Sequence, residues 1–156
     1  MVNFKLLIIS IAYIFSLPSL AGPQASSITA NLDHGQIIKG YDPVSYFNSS
    51  KPTKGNPEFK TEINGITYLF TNKTNQQLFV SNPKKFSPEY EGWCATAVAN
   101  GYKYDIDPEN YKITNGRLFL FYKGWKGDAK TAWDKAEQES IKKADMNWTT
   151  VKDSKE

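Results

Sequence analysis

One thiol and one imidazole occur in the 156-residue chain, at Cys94 and His34. An imidazole touching a thiol takes its proton and makes a nucleophile, the route to a cysteine-dependent enzyme or redox protein. Together with carboxylates such as Asp42 or Glu91, the same two groups would be ligands for a copper or zinc ion. Cys94 and His34 alone fill only half of a tetrahedral shell. Neither chemistry has a family-specific motif behind it. In "EGWCATAVANG", residues 91–101, Gly92 and Trp93 suggest a helix start, where a thiol pKa falls. On that helix Cys94, Ala97, Val98 and Gly101 lie along one stripe of small or apolar residues. Unpaired cysteine is among the most buried residue types, so the preferred reading is that Cys94 packs, with a pocket wall still open to it.

A second candidate is "GYDPVSYF" at 40–47. Asp42-Pro43 reads as a turn that places Tyr41, Val44 and Phe47 in a core. Its functional alternative brings Asp42, Tyr46 and Cys94 to one small cleft, with Tyr41 and Trp93 completing a candidate ligand-binding set. Cys94, His34 and Asp42 form the candidate metal set. Trp93, Trp125, Trp133 and Trp148 could build a ring- or sugar-binding platform, but core packing explains most such residues.

These residues need elements to hold them. Asn64-Gly65 and Asn115-Gly116 each sit between strand-like runs, over 59–70 and 111–122, and supply the positive-φ pair of a tight hairpin turn. In each, an aromatic, Leu and Phe end the second strand and a helix-like segment follows. This is a short internal echo at a spacing of about 51 residues, read as two hairpin-plus-helix units sharing one sheet. Helices are expected over 72–81, stopped by Pro83; over 92–100, stopped by Gly101; and over 128–145, capped by Asp128. In the last, Ala132, Trp133, Ala136, Ser140 and Ile141 form the packing face. A short strand is expected near 36–39 and a loop over 49–57. The fold class is α+β: a small, mainly antiparallel sheet of two hairpins packed with three helices.

Four segments, "KGYDPVSYF" (39–47), "NGITYLF" (64–70), "FVSNPKKFSPEYEGWCATAVANG" (79–101) and "NGRLFLFY" (115–122), resemble in order the exported bacterial YHS-domain proteins. The likeness runs from about Lys39 to Trp148. It implies a YHS-like domain over 39–148, preceded by an N-terminal segment over 22–38 and followed by a polar tail over 149–156. Some YHS relatives bind metal through three thiols, and their pattern falls here on Ser45, Thr71 and Asn75, with its trailing aromatic at Phe79. All three thiols are absent, and hydroxyl and amide groups are poor substitutes for thiolates toward soft ions. The resemblance therefore implies a binding or accessory domain connected with metal handling but lacking its relatives' ligands. The alternatives are the Cys94–His34 enzyme or redox protein, and a module that binds a partner or small ligand without metal.

Composition bounds these readings. Lys5, the apolar run over 6–15 and the small residues up to Ala21 read as a signal peptide over 1–21, too short to anchor securely in a bilayer, so the product is expected in the periplasm or secreted. About 135 residues remain, enough for one core. The net charge of +3 is scattered along the chain, which gives no footprint for nucleic acid. With one cysteine, no internal disulfide can form, and nine Phe, nine Tyr and four Trp must supply the core.

Overall fold

The two Asn-Gly pairs turn the chain as their sequence demands. Asn64 and Gly65 have φ of 52° and 78°, and Asn115 and Gly116 have 53° and 76°, the left-handed region that these residues tolerate best. The first turn joins β3 (Asn56–Ile63) to β4 (Ile66–Phe70), and the second joins β5 (Asp107–Thr114) to β6 (Arg117–Phe121). This computed structural model describes residues 29–154. The expected signal peptide lies outside the described residues, among which no helix is long and apolar enough to cross a membrane.

The fold is α+β, but the hairpins do not share a sheet. β1 (Leu32–Asp33) and β2 (Gln36–Ile37) extend the first hairpin in the order β1-β2-β4-β3, while β5 and β6 stand as a separate pair. A third pair is formed by β7 (Lys123–Gly124) and β8 (Gly127–Asp128). What the hairpins share is a core. Tyr68 and Phe70 of β4 meet Leu118 and Leu120 of β6 in one hydrophobic cluster with Tyr46, Phe79 and Phe86. Phe119 and Phe121 point the other way, into a second cluster with Trp93, Val98, Trp133, Ala144 and Val151. Successive strand residues face opposite sides, so the unbroken apolar run of β6 must be covered on both.

Six short helices replace the expected three among the described residues: α1 (Ser45–Asn48), α2 (Lys73–Ser81), α3 (Pro83–Phe86), α4 (Ala95–Ala99), α5 (Ala129–Lys135) and α6 (Glu137–Val151). α2 begins where expected, because Asn72 Oδ1 accepts from the Asn75 N–H at 2.8 Å. The helix expected over 128–145 breaks at Ala136, with φ −148° and ψ 48°. The break leaves Ala132 and Ala136 exposed instead of on the packing face. α6 then covers the second core with Ala144, Val151 and the half-buried Ile141 and Trp148. Burial of Val151 carries the helix past the expected tail boundary at 149.

The internal echo extends well beyond the hairpins. β3 and β5 carry the same bulge: Asn56 pairs with Phe70 and then Lys60 with Leu69, as Asp107 pairs with Phe121 and then Tyr111 with Leu120. Each bulge is held by its first side chain, Asn56 Oδ1 accepting from Glu58 N–H and Asp107 Oδ1 from Glu109 N–H, both at 3.0 Å. Upstream, Ile38-Lys39-Gly40 and Tyr90-Glu91-Gly92 are both left-handed throughout, at φ 53°, 52° and 77° and at 52°, 51° and 83°. Each run follows a segment lying parallel to the hairpin's second strand, Gln36 beside Thr67 and Pro88 beside Leu118. Downstream, each unit ends in a helix pair broken at one residue, Asn82 or Ala136. The chain is therefore two copies of one unit, over 36–86 and 88–151. The first passes directly from Thr71 to the helix cap Asn72, whereas the second inserts β7 and β8 between Tyr122 and α5, with Asp128 as the cap.

Candidate functional site

The repeat puts Asp42 and Cys94 at equivalent positions. Each lies two residues after the left-handed run. The Asp42 N–H donates to Thr53 O at 2.9 Å and the Cys94 N–H to Tyr104 O at 3.0 Å, both in the loop before a hairpin. Each side chain accepts from the residue just after the hairpin: Asp42 Oδ2 from the Thr71 N–H at 2.9 Å, Cys94 Sγ from the Tyr122 N–H at 3.3 Å. The backbone is the same and the chemistry differs.

Around Asp42 the first unit is closed. The residue is 0% exposed, and Oδ2 also accepts from Thr71 Oγ1 at 2.8 Å and Asn75 Nδ2 at 2.6 Å, while Oδ1 accepts from the Val44 N–H at 2.8 Å. Ser45 Oγ donates to the Asp42 carbonyl at 2.6 Å. Thr71 and Asn75 thus donate to the Asp42 carboxylate and Ser45 to the backbone carbonyl of the same residue. No buried side-chain polar atom among the described residues lacks a partner, so the polar atoms of this network are already satisfied.

Around Cys94 the second unit is open. Cys94 is only 2% exposed, yet it floors a cavity of about 310 Å³ walled by Thr96, Tyr102, Tyr104, Tyr122, Lys126 and Asp128. The Tyr104 and Tyr122 rings meet edge to face at 87°, with centroids 5.0 Å apart. The Tyr122 hydroxyl accepts from the Lys126 N–H at 3.3 Å. Gly124 permits this, because a Cβ there would lie 2.5 Å from that hydroxyl oxygen. Asp128 Oδ1 is committed to the Lys130 N–H and Asn110 Nδ2. Burial pushes the Cys94 thiol above its ordinary pKa, outweighing the N–H groups of Tyr122, Ala97 and Thr96 that pull it down. The expected helix-start lowering is thereby corrected: α4 begins only after the cysteine and has five residues, too little to offset desolvation.

The expected site residues do not gather. His34 sits in the turn between β1 and β2 with its side chain 90% exposed and Nδ1 2.8 Å from Asp33 Oδ1; it does not line the Cys94 cavity. Among the described residues no group of three or more His, Cys, Asp and Glu side chains could hold a metal ion. The Cys94, His34 and Asp42 set is corrected accordingly: Asp42 and Cys94 belong to different units, and Glu91 accepts from Thr29 Oγ1. The cleft of Asp42, Tyr46 and Cys94 does not form either, because the Tyr46 hydroxyl donates to Pro108 O at 2.8 Å. The Tyr41 hydroxyl donates to Glu109 at 3.1 Å. Trp93 is buried, donates to Thr29 O at 2.8 Å and borders a separate polar hollow with Asn31, Asp33, Lys39 and Asp105. Of the expected ligand-binding set, only Cys94 reaches the cavity. Besides Thr96 of α4 and Tyr122 after β6, its walls come from the segment after α4 and from the inserted hairpin. The alternation Tyr102-Lys103-Tyr104 and the pattern Tyr122-Lys123-Gly124-Trp125-Lys126-Gly127 are the signals that mark them.

No protein-family model matches the chain, and no curated protein or solved structure matches it.

Proposed function

We propose that this chain is an exported, YHS-like module that binds a small ligand in the Cys94 cavity without a metal. One observation carries the reading: tyrosine rings, hydroxyls and an ammonium converge on a concave site, while among the described residues no group of three or more His, Cys, Asp and Glu side chains could hold a metal ion. A cavity of about 310 Å³ lies at the small end of ligand pockets, so it suits a compound built on a single ring. The thiol contributes shape and a weakly polar floor. With its pKa raised it is neutral at physiological pH, poorly suited both to nucleophilic attack and to ion capture.

Saturation-transfer NMR with 4-hydroxybenzyl alcohol tests the reading, with Tyr104→Ala as control. Binding is expected in the parent chain and lost in the variant; signal transfer undiminished by Tyr104→Ala would place the compound elsewhere and overturn the assignment. Metal analysis is the second arm. Protein purified without chelator and then offered Cu(I) or Zn(II) is expected to retain neither at stoichiometric level, and retention abolished by Cys94→Ala would restore the metal reading.

A further inference from the structure

We infer that the inserted β7–β8 hairpin makes the cavity selective for a flat, single-ring ligand carrying an anionic group, with Lys126 as the residue that reads the charge. The inference rests on the cavity being a ligand site and adds its chemical class.

The geometry is specific in three respects. First, the Tyr104 and Tyr122 rings stand at 87°, a corner in which a planar ring stacks on one face and meets the edge of the other, the two arrangements aromatic pairs prefer. Second, the Lys126 ammonium lies 4.8 Å from the Tyr104 ring centroid and is in no ion pair among the described residues. The one carboxylate on the wall, Asp128, caps α5 and holds Asn110. Among the described residues Lys126 is the one cation on the cavity wall and pairs with no carboxylate there, so its ammonium is open to an anionic group of a ligand. Third, the first unit has no such hairpin, and at the equivalent place Thr71 and Asn75 fill the space around Asp42 with hydrogen bonds. The insertion both supplies the cation and keeps a chamber where its twin has none.

Three probes of similar size separate charge from shape: 4-hydroxybenzoate, 4-hydroxybenzyl alcohol and 4-hydroxybenzylamine, titrated by calorimetry at pH 7 against the parent chain and Lys126→Gln. The benzoate is expected to bind tightest and the amine weakest. Lys126→Gln should weaken the benzoate about tenfold, the loss expected for one charged hydrogen bond, and weaken the alcohol less, so that the preference for the acid is lost. If benzoate and alcohol bind equally, or the preference survives Lys126→Gln, the charge assignment is overturned while the cavity still binds. If none of the three binds, the cavity reading falls and the inference with it.

Discussion

The two units build the same turn, bulged hairpin and broken helix pair around different central side chains. In the first, Asp42 is met by three side-chain or backbone donors on one oxygen and a fourth on the other. In the second, Cys94 receives the Tyr122 N–H at its sulfur, above which lies open space between rings. A carboxylate buried in a protein demands donors, and the residues that provide them occupy the volume a ligand would use. A thiol makes no such demand. Relieving that demand is what lets one copy of the unit stay hollow while the other is a structural plug.

The sharpest way to break this comparison is to exchange the chemistry. Cys94→Asp would place a carboxylate where no counterpart of Asn75 or the Thr71 hydroxyl waits, and is expected to lower stability by about 3 to 5 kcal/mol in urea unfolding; a near-neutral result would mean that the second unit also offers a satisfied anion site. Asp42→Ala leaves the Val44 and Thr71 N–H groups and Asn75 without their acceptor, an expected loss of about 3 kcal/mol. Asp42→Asn should lose less, since one acceptor oxygen survives. Cys94→Ala removes one atom that already borders empty space, and should shift the same midpoint by only about 1 kcal/mol.

The smallest effect is a control outside both centres. Arg117 reaches Asp145 at 2.6 Å and Glu89 at 2.8 Å, and its hydrogen bond holds the Asp145 carboxyl below its usual range. Because the folded pKa is the lower one, the stabilisation is present above about pH 4, the unfolded value, and is lost as pH falls through the folded value. Asp145→Asn should flatten the acid limb of the stability profile by under about 1 kcal/mol, the pair being partly exposed.

The hairpins were legible because Asn-Gly states its backbone conformation in two letters. The rest of the repeat was not. Its upstream half depends on Ile38, Lys39, Tyr90 and Glu91 adopting positive φ, which nothing in those residue types announces. The kink at Ala136 was equally hidden, since alanine is the strongest helix former and the break answers tertiary packing. Burial of Cys94 followed from its small, apolar stripe, but the cavity above it did not, because its walls are contributed by a loop and an insertion that only the folded chain brings together. The functional alternative put Asp42 and Cys94 in a single cleft; they are instead the same position in two copies.

β6 has consequences for how the molecule comes apart. Leu118 and Leu120 on one face and Phe119 and Phe121 on the other are all fully buried, so neither cluster can open without stripping a face of this strand. Melting should then be a single cooperative transition. The amides of β6 should be the slowest to exchange with deuterated solvent, opening only with the whole molecule.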